Sequence, residues 1–409
     1  MVHPELLAPA GDRDKLVVAL DYGADAVYAG GPVFGLRAHA GSFGLGDLIW
    51  ARDLTRARGR RLYLTLNAYL LPHEYPQLRD TLEELRPLDL DAYIVSDPGV
   101  IAEVRRIDPK RPLHLSTQAN CTSPAAARFW QGQGIGRVNL ARELSLADLR
   151  AFGDLTGLET EVFVHGAMCV AYSGRCLLSA AMTGRSANRG DCSHTCRWQY
   201  RVQEQTRPDQ WFPAEEDARG SYLFNSRDLC LVEHLGAVLD AGAGALKIEG
   251  RMKSLYYVAA VTRVYRAALD AWLADPQGWR ADPLWRQELE QVSHRPYDTG
   301  FLFPRTDAVI HDADAHYLRQ ADFLGVVRAD ASGGLFVDVR GRFFDQEALQ
   351  LIGPAMRQLE LRIDGLCSLE GVAQAVAQPN QQVRLSLPAA ARPGDLLRRL
   401  QTPAQADQS

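Results

Sequence analysis

At 409 residues the chain has room for one large domain and a small one, and 46% hydrophobic with 23% charged residues is ordinary globular composition. A net charge of −5 excludes bulk attraction to nucleic acid or to an anionic membrane, so any RNA-binding face has to be a local patch. No apolar run is long enough to span a bilayer, and the opening MVHPELLAPAGDRDK lacks a basic-then-apolar export pattern. The expectation is therefore a cytoplasmic protein without membrane contact.

Short apolar runs recur along the first two-thirds of the chain, at Leu6–Pro9, Ala26–Gly30, Leu62–Asn67, Ala92–Ser96, Leu113–Thr117, Val138–Arg142, Val162–His165 and Leu246–Glu249. They are nearly continuous rather than alternating, as strands buried on both faces of a parallel sheet are. Amphipathic segments such as Asp12–Tyr22 and Tyr75–Leu85 lie between them, and Leu255–Ala274 reads as the strongest helix. Eight strand-helix units over residues 1–275 predict an α/β fold, a TIM-type (β/α)8 barrel in preference to a doubly wound open sheet.

After Val162–His165 the periodicity vanishes in an insertion, 166–222, which carries Cys169, Cys176, Cys192 and Cys196 with six, fifteen and three residues between them. Cys230 follows in NSRDLC, whereas Cys121 and Cys367 lie elsewhere and read as small hydrophobes. So long a loop needs something other than a core to hold it, and thiolates around a metal would do so. An odd cysteine count without an export signal fits metal binding better than disulfides. Zinc sites favour closer pairs, which only Cys192 and Cys196 approach, while the thiolates of an iron-sulfur cube tolerate wider spacing. A 4Fe-4S cluster is the preferred expectation, with zinc and unmetallated redox thiols as alternatives. The interleaved Arg175, Arg185, Arg189 and Arg197 would lower the thiol pKa values and offset cluster charge.

Residues 276–318 form a connector containing SHRPYDTGFLF, where His294, Arg295 and Tyr297 suit a packed interdomain turn better than an active site. Residues 319–400 change to short, partly alternating runs and predict a small C-terminal all-β barrel; 401–409 read as a disordered tail.

In a barrel of this kind chemistry belongs at the carboxyl ends of the strands. Those ends supply Asn67, Ser96, Asp97, Ser116, Thr117, Gln118, Arg142, Glu143, His165 and Glu249. Any one of them also suits a helix cap or turn; their shared register points to a site. His165, Glu249 and Arg142 are the catalytic candidates. Arg37, Arg142, Arg251 and Lys253 are cations for a carboxylate or phosphate, unless Glu143, Glu249 and Asp228 absorb them. The cluster Arg56, Arg58, Arg60, Arg61 precedes a strand, at the wrong end for catalysis, and reads as a solvated loop. Arg340, Arg342, Arg357, Arg362, Arg392, Arg398 and Arg399 make the C-terminal domain the better holder of RNA. A peptidase is disfavoured, because neither HExxH nor GxSxG occurs and a loop cysteine among other candidate ligands is a poor nucleophile.

The ordered set ELLAPAGD, DAVYAGG, FGLRAHAGSF, HGAMC…YSGRC…GDCSHTCRWQY, NSRDLC, LKIEGRMKS and SHRPYDTGF resembles the family first labelled collagenase-like peptidases, now associated with RNA and quinone hydroxylation. SHRPYDTGF and the appended β domain resemble its branch of prephenate-dependent tRNA uridine hydroxylases. The resemblance implies an oxygen-sensitive 4Fe-4S cluster on Cys169, Cys176 and Cys192, with Cys196 or Cys230 as fourth ligand. It implies oxygen-independent conversion of the wobble uridine to 5-hydroxyuridine using prephenate, with tRNA, iron-sulfur assembly proteins and redox proteins as partners. Assigning prephenate, a dicarboxylate, to the cationic strand ends is our own step. The competing readings are a hydroxylase of a quinone precursor or an rRNA cytidine, a collagenase-like peptidase, and an RNA-binding scaffold built on structural zinc.

Overall fold

The computed structural model describes residues 3–35, 42–153, 155–169, 171–198, 215–217, 220–222, 227–303 and 317–401. Its first part is a closed parallel barrel of eight strands. These are β1 (Glu5–Ala10), β2 (Ala26–Gly30), β3 (Arg61–Leu66), β4 (Ala92–Val95), β5 (Leu113–Leu115), β6 (Arg137–Asn139), β7 (Glu159–Ala167) and, after β8 (Asp228–Cys230), β9 (Ala245–Ile248). Closure comes from β9 pairing in parallel with both β1 and β7. Strand β8 is the exception: it runs antiparallel along the upper half of β7 and carries β10 (Tyr297–Asp298) on its far edge.

Helices return the chain between strands, and their starts are written in local chemistry. Asp12 caps α1 (Arg13–Asp21), and Gly44 opens α2 (Leu45–Ala57), with Asp47 reaching back to its N–H. Pro lies at the first turns of α3 (Tyr75–Leu85), α4 (Pro98–Ile107) and α5 (Pro124–Gly132), where its missing N–H costs nothing. Ser145 and Asp148 form a reciprocal cap on α6 (Leu146–Arg150). The short α7 (Leu178–Thr183) belongs to the cysteine loop, and α8 (Leu235–Asp240) leads into β9. Ser254 caps α9 (Leu255–Ala274), most of which is buried, and α10 (Pro283–Glu290) packs beside it. Asp97 is one such cap: Oδ1 accepts from the N–H of Gly99 at 2.7 Å and Oδ2 from that of Leu70 at 3.0 Å. Among the described residues no helix is long and apolar enough to cross a membrane.

The second part is a seven-stranded antiparallel sheet whose central strands are Leu396–Leu400 and Ala321–Ala329, with a separate core around Val327, Val337, Phe343, Leu351 and Leu397. It docks on the barrel through buried polar contacts. Tyr22 Oη donates to the carbonyls of Ile352 and Gly394, both at 3.0 Å. Glu288 of α10 pairs with Arg263 of α9 at 2.6 Å and with Arg398 of the sheet at 2.7 Å. Four of the seven arginines expected to hold RNA are ion-paired: Arg357 with Asp395, Arg399 with Glu347, Arg340 with Asp338, and Arg398 with Glu288 at the domain junction. The cluster before β3 is likewise paired, Arg56 with Asp89, Arg58 with Asp21, Arg60 with Asp25 and Arg61 with Glu5.

Within the connector, His294 stacks on Tyr297 with ring centroids 4.0 Å apart, and Arg295 grips Asp228 of β8 at 2.6 Å. This is the packed turn the sequence favoured. The tail after Gln401 lies outside the described residues, as do 304–316 of the connector.

Candidate active site

At the carboxyl end of the barrel is a cavity of about 180 Å³. Its lining follows the layering of such barrels, in which alternate strands contribute alternate tiers. Tyr28, Ile94, Asn139 and Lys247 come from β2, β4, β6 and β9; Thr65 and Phe163 come from β3 and β7. Beneath them the interior is charged and closed by ion pairs. Arg137 bonds Glu5 at 2.6 Å and Glu159 at 2.9 Å, and Lys247 Nζ meets Glu161 at 2.7 Å. Buried charges survive only when paired in this way. His114, buried beside Arg137 and Lys247, has its pKa held well below the usual imidazole value, first by burial and then by those cations.

Higher up, three sequence candidates share the cavity. Arg142, three residues past the end of β6 rather than within that strand as its sequence suggested, donates from Nη1 to the carbonyl of Ala167 at 2.6 Å and lies over the Phe163 ring at 4.1 Å. Glu249 accepts from Tyr28 Oη at 3.3 Å. Arg251 is buried and donates to Thr65 Oγ1 at 3.2 Å. Its guanidinium occupies the space that a Cβ on Gly30 would need, so a larger residue at the end of β2 would displace Arg251. Lys253 lines a second cavity of about 170 Å³ next door, with Glu249, Gly250, His194 and Tyr317. Its ammonium donates to the carbonyl of Ser293 at 3.0 Å and stands 3.9 Å from Asp228. Arg37 lies outside the described residues.

The cysteine loop forms the roof. Cys169, Cys176, Cys192 and Cys196 all line the larger cavity. Polar ties fix the loop to the rim: Asn120 Nδ2 donates to the carbonyl of Ser173 at 2.9 Å, and Arg189 pairs with Glu74 at 2.8 Å. Inside the loop, Ser193 accepts and donates among Ser179 and Thr183 at 2.7 and 3.0 Å. Among the described residues no three His, Cys, Asp or Glu side chains converge closely enough to hold a single metal ion. Thiolates on an iron-sulfur cube bind separate corners and stand further apart than ligands to one ion, so four cysteines lining one cavity without a single-ion site suit a cluster better than zinc.

Two candidates are not brought to this cavity. Cys230 on β8 is buried against Tyr265, and burial pushes its thiol up to about 11. His165 is also turned away. Val164 is an extra residue where β7 pairs with β9, since Lys247 faces Phe163 but Ile248 faces His165. That bulge sends the imidazole outward among Tyr257, Tyr265 and Tyr297, with centroids 5.3 to 5.8 Å away. Burial lowers its pKa to about 3.

Asn139, Lys247, Tyr28 and Phe163 were not singled out from sequence. A signal was present for one of them, because Lys247 alternates with the candidate Glu249 within an otherwise apolar run, the pattern of inward-facing positions.

Residues 11–312 match Peptidase family U32, and residues 319–398 match the Peptidase family U32 C-terminal domain. The chain is similar to tRNA hydroxylation protein P1 of Bacillus subtilis (strain 168), 35% identical over 97% of this chain and 94% of that protein. It is similar to tRNA hydroxylation protein P of Escherichia coli (strain K12), 34% identical over 92% of each. A protein named Collagenase from Porphyromonas gingivalis is 30% identical over 78% of this chain and 79% of that one. On the extent of these matches, the chain belongs to peptidase family U32.

Proposed function

We propose that this chain is a tRNA-modifying hydroxylase that converts the wobble uridine to 5-hydroxyuridine, with prephenate as co-substrate and a 4Fe-4S cluster on Cys169, Cys176, Cys192 and Cys196. The observation that carries the reading is the meeting of four thiols with buried cations and Glu249 on one cavity at the barrel mouth. The two relatives named for tRNA hydroxylation, which align over nearly the whole chain, support the RNA substrate. When bound, the cluster supplies one-electron chemistry.

The remaining work falls to side chains. Arg251 and Lys253, one in each cavity, hold the carboxylates of the co-substrate. Glu249 lines both cavities and takes up a proton at its carboxylate. Arg142 acts on the cluster loop as a positioning residue, since its bond to the Ala167 carbonyl fixes the backbone two residues before Cys169. The collagenase-named relative keeps hydrolysis open as a second reading, but His165, the base closest in sequence to Cys169, is withdrawn from the cavity.

Nucleoside mass spectrometry of tRNA tests this. A deletion strain without a paralogue should lose 5-hydroxyuridine-derived nucleosides, and the wild-type chain should restore them while Cys169→Ala does not. Unchanged nucleosides on deletion would sink the assignment. Anaerobically purified protein should carry iron and sulfide in equal amounts, kept in Cys230→Ala and lost in Cys196→Ala; zinc alone would remove the cluster.

A further inference from the structure

Asn139 ends β6 with its side chain in the cavity lining, and the residue is 2% exposed. Neither Oδ1 nor Nδ2 has a hydrogen-bond partner. Nearly all buried amides are satisfied, and one left without a partner destabilises the fold, so such a group calls for an explanation. In the same cavity lining the Nε–H of Arg142 is also buried without a partner, although its Nη1 and ring stacking hold the guanidinium in place. An acceptor and two donors are thus kept dry. Tyr28, Ile94 and Phe163 supply apolar surface in the same lining.

We infer that Asn139, assisted by Arg142 Nε–H, reads the hydrogen-bonding edge of a flipped-out pyrimidine, an inference that rests on the tRNA hydroxylase reading. A uracil edge presents a carbonyl oxygen beside an N–H. A carboxamide answers that pair with one donor and one acceptor, and the guanidinium N–H takes a carbonyl. Enzymes that work on a base in RNA or DNA take it out of the stack into such a pocket and read it by its edge and faces.

The test compares anticodon stem-loops bearing uridine or cytidine at the modified position, using the anaerobically purified full chain. Asn139→Asp keeps the shape but can only accept, which suits the cytosine amino group and repels the uracil carbonyl. The ratio of kcat/KM for uridine over cytidine should fall about ten- to a hundredfold, the usual worth of a paired amide contact to a base. Asn139→Leu should lose activity through a raised KM, yet melt at or above the wild-type temperature, since no native bond is removed. Wild-type activity with an unchanged uridine preference in Asn139→Asp overturns the inference alone. A wild-type chain that modifies neither RNA overturns the function reading instead. A lower melting temperature in Asn139→Leu would show a structural role and also overturn the inference.

Discussion

The ring of His165 sits among three tyrosines, neutral, because one extra residue in β7 turned it there. Its charge state has a measurable consequence. In the unfolded chain this imidazole titrates near 6.5, and in the native barrel burial holds it at about 3. Between those values the unfolded state binds the extra proton, so the stability contributed here is complete above the upper value and is lost as pH falls toward the lower. His165→Phe, which fills the same aromatic pocket, should flatten the dependence of the urea-derived unfolding free energy on pH between 6 and 4 by up to about 1.4 kcal/mol per pH unit; a slope identical to wild type would contradict the burial argument. The sequence placed His165 at the site because it closes an apolar run four residues before Cys169. Period-two alternation is the rule that decides which side a strand residue faces, and a bulge is the event that defeats it. Asn139 escaped notice for a different reason. A single polar residue inside a short buried run carries no sign of whether it has a partner.

Strand β7 and strand β9 cross closely at Gly166, which has φ of +106° and stands where an added Cβ would meet the carbonyl oxygen of Glu249 at 2.5 Å. Both the backbone angle and the contact demand glycine. Gly166→Ala should destabilise the protein by about 2 kcal/mol or more and displace Glu249, so activity and chemical stability fall together. A stable, fully active variant would mean the crossing has slack. Most strands were legible in the sequence because parallel strands covered by helices are apolar on both faces and stand out as runs. Strand β8 was not among them. It is short, antiparallel to β7, and recognisable only through its pairing, which sets Cys230 opposite His165.

The two halves of the molecule meet over buried charge. Glu288 serves Arg263 and Arg398 together, and none of the three is more than slightly exposed. Glu288→Gln leaves two guanidinium groups without a counter-charge and should cost about 3–5 kcal/mol, splitting one denaturant transition into two as the sheet domain parts from the barrel. A single transition at the wild-type midpoint would show that apolar packing alone joins them. The arginine-rich composition of the second domain invited an RNA-binding reading, and composition could not show that Arg340, Arg357, Arg398 and Arg399 each pair with a carboxylate. The barrel, by contrast, was visible from periodicity, as was the side of it on which polar residues gather.

The covering over the cavity differs in kind from the walls. It leaves Leu177, Met182 and Trp198 exposed and is stitched to the rim by individual polar bonds such as Asn120 to Ser173. The strands below are bound by shared ladders and a continuous apolar core. Free energy of opening is therefore lowest at the top. Opening of this covering breaks no strand pairing, so amide exchange in residues 171–198 should run ahead of exchange in the strands beneath it.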